Sequence, residues 1–174
     1  MQRIAVIGVC GAGKSTLSSA LGSLTGLPVY YLDQLYWKPG WIESEKEEFR
    51  KRVASIADTD CWIMDGNYSS TFDLRFSRAD TIIYLDFARH IALYRAVTRI
   101  LKSYGRVRQD MTEGCPERFN FAFFKYIWNF HKLYRPRTET ALATLRDDQK
   151  LFRLNTPKDV SKFLKFFVQS RHMN

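Results

Sequence analysis

Apolar residues along this chain fall into two alternating rhythms. "RIAVIG" (3–8) is a short apolar run ending in glycine, and "KSTLSSALGSLTG" (14–26) then sets Leu17, Leu21 and Leu24 at helical spacing before Gly26 and Pro28. The pair reads as strand, loop, helix. "PVYYLD" (28–33) predicts a second strand. After the aromatic loop "QLYWKPGW", Ser44 with Glu47 three residues on forms a capping box, opening a helix with Phe49, Val53 and Ile56 on its buried stripe. "CWIMD" (61–65) and "TIIYLD" (81–86) are nearly continuous apolar runs ending in aspartate, the pattern of strands buried on both faces of a parallel sheet. The polar "GNYSSTFDLRFSRAD" between them predicts a short helical turn. From Phe87 to Tyr104 the spacing predicts a helix with Leu93, Val97, Ile100 and Tyr104 inward. Pro116 and Glu117 predict the start of another, since proline suits the first turn and an acid the helix N-terminus. Its segment "RFNFAFFKYIWNFHKLY" carries aromatics on more than one side and is expected to be buried or roofed. "KLFRLN" (150–155) predicts the last strand, and Val160, Phe163, Leu164 and Phe167 the stripe of a final helix.

Strands alternating with helices define an α/β fold of three layers, with a five-stranded parallel sheet and helices on both faces. The 174 residues, 45% of them hydrophobic, suit a single domain, 1–174. Ligands in such sheets lie at the carboxyl ends of the strands, so Gly8, Asp33, Asp65 and Asp86 are expected along one edge. Cys10, Cys61 and Cys115 are odd in number and far apart, and His90, His131 and His172 are scattered, so neither a disulfide framework nor a zinc site is indicated. There is no secretory pattern and no apolar run long enough to cross a bilayer. A soluble, cytoplasmic setting with no membrane partner is expected.

The net charge of +9 favours polyanionic partners, whether nucleotides or nucleic acid. Its distribution is uneven: Arg89, Arg95, Arg99, Lys102, Arg106 and Arg108 fall in a stretch with no acidic residue before Asp110.

The most explicit chemistry is in "GVCGAGKST". Gly8, Gly13, Lys14 and Ser15 satisfy G-x-x-x-x-G-K-[ST] between a strand and a helix, the context of a phosphate-binding loop. Glycines let backbone N–H groups approach phosphate oxygens, the helix N-terminus adds partial positive charge, the lysine reaches the outer phosphates and the serine can ligate Mg²⁺. Gly8, Gly11, Ala12, Gly13, Lys14, Ser15 and Thr16 are therefore the candidate ATP contacts. Cys10 reads as a small side chain filling the loop.

The fate of the phosphate is decided elsewhere in the chain. An N-K-x-D guanine reader and a D-x-x-G switch are missing, which disfavours a GTPase. Asp65 and Asp86 are followed by Gly66 and Phe87 rather than a second acid, which disfavours a motor ATPase. Transfer to a second molecule needs positioning and a cationic cover. Arg95 and Arg99, at i and i+4, supply that cover with Arg106 and Arg108 in a lid-like segment, 102–118. Asp33 is placed to orient or deprotonate an acceptor hydroxyl, and Asp65 to hold Mg²⁺ through water. Tyr36, Trp37 and Trp41, in a flap at 34–60, either stack an acceptor or pack the flap itself.

"WIMDGNY" stands where adenylate kinases carry D-G-[FY]-P-R. With the first strand and loop, the R-x-x-x-R of Arg95 and Arg99 and the basic lid, the chain is similar to small nucleoside-monophosphate-kinase-type proteins. More narrowly, "LDQLYWKPGW", "DGNY", "RADTIIYLD" and "GCPERF" resemble the bacterial DNA topology modulation proteins, an adenylate-kinase-related family. That resemblance implies a kinase-like P-loop fold and ATP binding. It also implies that the turn at Asn155 to Pro157 contacts adenine. "DGNY" lacks the P-R that follows in adenylate kinases, so Arg75 becomes the candidate for an acceptor phosphate. Asn67 and Arg135 join the acceptor set. The favoured reading is a kinase for a small-molecule acceptor using ATP and Mg²⁺; the alternative is a nucleic-acid-associated regulator using ATP as ligand or switch.

Overall fold

The computed structural model describes residues 1–172. In chain order the elements are β1 (Arg3–Gly8), α1 (Lys14–Thr25), β2 (Val29–Tyr31), α2 (Leu32–Tyr36), the hairpin strands β3 (Trp37–Lys38) and β4 (Ile42–Glu43), α3 (Lys46–Ala57), and β5 (Trp62–Asp65). A 3₁₀ turn (Ser69–Thr71) then runs into α4 (Phe72–Arg78), followed by β6 (Thr81–Leu85), α5 (Arg89–Ser103), α6 (Phe121–Leu133), α7 (Arg135–Leu142), β7 (Lys150–Leu154) and α8 (Pro157–His172).

The five expected strands form one parallel sheet in the order β2-β5-β1-β6-β7. Alternation along β1 assigns its side chains to two cores. Ile4 and Val6 pack with Leu17 and Leu21 of α1, Ala92 and Ala96 of α5, Ile127 and Phe130 of α6 and Phe163 of α8. Ala5 and Ile7 pack on the opposite face with Leu32, Phe49 and Val53, and with Phe72 and Phe76 of α4. Register brings Val6 beside Asp65 and Gly8 beside Leu85, so β1 and β6 end level and β5 ends two residues short of them, all at the same edge of the sheet. The cavity opens from that edge.

Several local expectations are corrected. The second strand stops at Tyr31, and Asp33 lies in the first turn of α2 rather than at a strand end. The capping box does not form: α3 starts after Glu45 with no side-chain cap. Ser44 is held instead by the end of α2, its N–H donating to Tyr36 O at 2.8 Å and its hydroxyl to Leu35 O at 3.4 Å. Pro116 and Glu117 begin no helix, because Glu117 is bridged to Tyr104 across the base of a loop. α6 starts at Phe121, capped by Asn120 Oδ1, which accepts from the Ala122 and Phe123 N–H groups. The buried stripe of α5 is Ala92, Ala96 and Ile100, with Tyr104 61% exposed. Small alanines are needed there, since the backbone at Ala92 abuts the glycine loop. α6 is roofed on one side only: Ile127 and Phe130 are buried, while Phe121 and Trp128 are exposed.

Candidate active site

A cavity of about 1700 Å³ lies over the carboxyl edge of the sheet, lined by the glycine loop, the DGNY segment, the α2 to β4 flap, α5 and the 104–120 loop. That exceeds the roughly 300–1,000 Å³ of a single small-ligand pocket and leaves room for two molecules side by side.

On one side stands the glycine loop. Gly11 has φ 87°, and a Cβ there would collide with the Ala92 carbonyl oxygen; Gly13 has φ 96°, and a Cβ would meet Arg95 Nη2 at 2.9 Å. Both positions favour glycine because an L side chain resists that conformation, and at Gly11 the α5 backbone also leaves no space. Lys14 Nζ donates to Val9 O at 3.2 Å, and Arg95 Nε donates to Gly11 O at 3.0 Å. The lysine and the arginine thus converge on the loop. Asn67 joins from the turn after β5, its Oδ1 accepting from Gly8 N–H at 3.3 Å. Burial pushes the Cys10 thiol up, so it stays protonated, in keeping with its reading as a filler.

Asp65 closes β5 at 4% exposure, and its Oδ1 has no hydrogen-bond partner among the described residues. Burial raises its pKa to about 6, against the lowering pull of the Lys14 ammonium and the Ser15 hydroxyl. An orphaned buried carboxylate oxygen beside a serine hydroxyl is a donor set that suits Mg²⁺, a hard cation that keeps several waters. The raised pKa has a consequence in the ligand-free protein. Between pH 4 and 6 the unfolded chain has released the Asp65 proton while the folded chain retains it, so stability falls as pH rises through that window. Asp65→Asn is expected to remove this component, about 3 kcal/mol at most, as read by denaturant titrations at pH 4 and pH 7. Equal pH slopes for variant and parent would refute the assignment.

The other side of the cavity is aromatic. Trp41 and Trp37 meet at a ring distance of 5.4 Å, Trp37 and Tyr36 at 5.1 Å, and Tyr36 then touches Phe49 at 5.1 Å and Tyr68 at 5.0 Å. All five residues line the cavity. The row ends on Asp33, whose Oδ1 accepts the Tyr68 hydroxyl at 2.6 Å. Trp41 adopts φ 64°, in the left-handed region that favours glycine. It is held there by Nε1 donating to Pro116 O at 3.1 Å and by the Arg118 guanidinium 5.3 Å from its ring. Strain of this kind persists only where the surroundings over-determine it.

The basic stretch is not an external strip. Arg95, Arg99, Lys102 and Arg108 line the cavity, and Arg99 and Arg108 both approach Glu117 Oε1, at 3.2 and 2.8 Å. Arg108 also pairs with Asp110 at 3.3 Å. Arg106, by contrast, is exposed and outside the cavity lining.

Three other candidates are placed elsewhere. Arg75 is fully buried, with Nε donating to Thr71 Oγ1, Nη1 to Gly66 O and Nη2 to Asn67 O, at 2.9 to 3.1 Å. It braces the DGNY turn from behind and does not line the cavity, which corrects its assignment to an acceptor phosphate. Arg75→Met leaves those carbonyls unpaired and is expected to cost about 3 kcal/mol. Thermal unfolding should then shift down by roughly 6–12 °C; an unchanged melting temperature would contradict the bracing role. Arg135 is bound to Asp86 at 2.7 Å and to Glu139 at 3.2 Å, outside the cavity lining. The Asn155 turn is exposed and closed on itself, Asn155 and Thr156 N–H both donating to Asp159 Oδ2, and neither Asn155 nor Pro157 lines the cavity. Sequence reasoning missed Tyr68 and Glu117. Tyr68 was within reach, as the last residue of the quoted DGNY; Glu117 carried no local signal beyond its charge.

A five-stranded parallel sheet with a glycine loop joining its central strand to α1 defines the P-loop nucleotide-binding class of α/β folds. Known structures narrow the fold further. A shikimate kinase from Acinetobacter baumannii in complex with shikimate aligns over 98% of this chain and 94% of its own, at TM-score 0.59 and 14% identity. A shikimate kinase from Aquifex aeolicus covers 98% and 96%, at 0.55 and 14%. One from Bacteroides thetaiotaomicron covers 98% of both chains, at 0.53 and 16%. The chain therefore has the fold of small P-loop kinases over nearly its whole length. No protein-family model and no curated protein matches the sequence. Among the described residues no helix is long and apolar enough to cross a membrane.

Proposed function

We propose that this protein is an ATP-dependent kinase that transfers the γ-phosphoryl group to a hydroxyl of a small-molecule acceptor. One observation carries the reading: the phosphate loop and the Asp33–Tyr68 pair line the same two-ligand cavity. The loop backbone, Lys14 and Arg95 bind the donor phosphates. Ser15 and Asp65 are the residues that would hold Mg²⁺, which would supply charge neutralisation for the donor phosphates. Asp33 orients the acceptor hydroxyl through the oxygen that Tyr68 leaves open and takes its proton as the oxygen attacks phosphorus. Arg99 and Arg108 offset charge on the moving group. The aromatic row from Trp41 to Tyr68 excludes water, which otherwise competes for the phosphoryl group. Because Arg75 is committed to backbone carbonyls, an acceptor phosphate would have to be met by Arg118 or Lys46, the cations lining that half.

The test is ADP release from Mg·ATP, measured with nucleosides, nucleoside monophosphates and hydroxylated acids in turn. Strong stimulation by one chemical class, with a phosphorylated product, is the expected result. Release at the same slow rate with every class would end the kinase reading. A nucleic-acid regulator predicts instead a duplex-DNA affinity that falls steeply with salt.

A further inference from the structure

Glu117 is 6% exposed and sits at the narrow base of the 104–120 loop, where Gly105 N–H donates to its carbonyl and its own N–H donates to Arg106 O, both at 2.9 Å. Its main chain is consequently fixed on both sides, and the carboxylate extends from that anchored point. One oxygen, Oε1, serves the Nε of Arg99 and the Nε of Arg108 together. Neither Nε–H lies in line for a hydrogen bond, so two buried donors are left unsatisfied beside a single carboxylate oxygen. Burial and the neighbouring Arg108 both push the Arg99 pKa down, and Glu117 opposes them. Two guanidinium groups that would otherwise repel are thus held together by one acid.

The same loop is fastened to the acceptor side. Gly40 N–H donates to Gly114 O at 2.9 Å, Thr112 Oγ1 to Trp37 O at 2.7 Å, Cys115 Sγ to Lys38 O at 3.3 Å, and Trp41 Nε1 to Pro116 O at 3.1 Å. Pro116 immediately precedes Glu117. The flap therefore fixes the backbone that carries the carboxylate.

We propose that Glu117 is a positioning residue for the transfer step: it holds Arg99 and Arg108 at the spacing the moving phosphoryl group needs, while competing with the donor phosphates for the same guanidinium groups. This rests on the kinase reading for its rate consequence but not for its effect on donor binding. Removing the charge has two opposite results. Arg99 loses its acid and Arg108 keeps only Asp110, so both guanidinium groups are freer to pair with phosphate and ground-state donor binding strengthens. Their mutual placement is lost, so transfer slows.

Glu117→Gln is the test. Affinity for the β,γ-imido analogue of ATP with Mg²⁺, measured by calorimetry without acceptor, is expected to rise about fivefold. In the acceptor-dependent reaction kcat is expected to fall roughly 10- to 100-fold. Glu117→Asp keeps the charge but withdraws the oxygen by one methylene, and is expected to lower kcat while leaving the analogue affinity within twofold of the parent, about 0.4 kcal/mol. A purely structural role lowers affinity and rate together, and that result in Glu117→Gln would overturn the proposal, as would an unchanged kcat. Melting curves accompany both variants; should Glu117→Gln not fold, the Glu117→Asp split alone decides. If the parent shows no acceptor-dependent turnover, the kinase reading falls, and the calorimetric arm still decides whether Glu117 competes with phosphate.

Discussion

Replacing Lys14 by methionine is expected to lower acceptor-dependent ADP release by roughly 10²- to 10³-fold, the loss seen when one preorganised donor to developing charge is removed. Methionine keeps the length and apolar stem of the side chain, so the difference isolates the ammonium. Lys14 lies at the first position of α1, where Gly13 in the left-handed conformation turns the chain into the helix. Its Nζ reaches back to Val9 O, across the mouth of the loop. That hydrogen bond holds the ammonium where an outer phosphate oxygen would replace the carbonyl. Stability should change little, by about 1 kcal/mol or less, since one side-chain bond to the backbone is lost. Steady-state kinetics with a melting curve separates the two effects. A variant that folds and retains more than a tenth of the parent kcat would show that the lysine is not a transfer group.

Asp33→Asn carries the second large effect. The substitution preserves shape and the hydrogen bond from Tyr68 but removes the ability to accept a proton, so kcat is expected to fall roughly 10²- to 10⁴-fold. The donor side should be unaffected, because Asp33 belongs to α2 and the flap rather than to the loop. ATP affinity measured without acceptor is therefore expected to match the parent. Tyr68 makes the assignment sharper. Its hydroxyl pKa is pushed far up, chiefly by burial and then by the adjacent carboxylate, so it remains a donor and occupies one Asp33 oxygen at all working pH. Tyr68→Phe frees that oxygen and should slow the reaction less than Asp33→Asn, through misorientation alone. Equal kcat for Asp33→Asn and the parent would move the base to another group.

Much of the frame was legible in the sequence because its causes are local. A strand buried on both faces must be a continuous apolar run, and β1, β5 and β6 are such runs. The glycine loop was legible for the same reason, since its conformation is written into residues next to each other. Elements governed by distant neighbours were misread. Ser44 looks like a helix cap until the last turn of α2 claims its N–H and hydroxyl. Pro116 and Glu117 look like a helix start until Glu117 is tied across the loop to Gly105 and Arg106. Tyr104 follows the helical period of α5 but lies past its end, in the open.

The candidate site divides along the same line. By itself the sequence determined an α/β order of elements, a phosphate-binding loop at the end of the first strand, and a set of acids and arginines assigned to the carboxyl edge. Spacing of side chains along one short stretch was enough for each. Only the tertiary structure decided which of those groups share a cavity. It turned Arg75 inward to brace a turn and tied Arg135 to Asp86. It also brought Glu117 between Arg99 and Arg108, and joined the flap to the loop through partners some 75 residues apart, such as Thr112 and Trp37. The physical reason is that a charged side chain has no intrinsic destination. Local propensity places its backbone, but its partner is chosen by the balance of burial and pairing, and that balance exists only once the layers have packed.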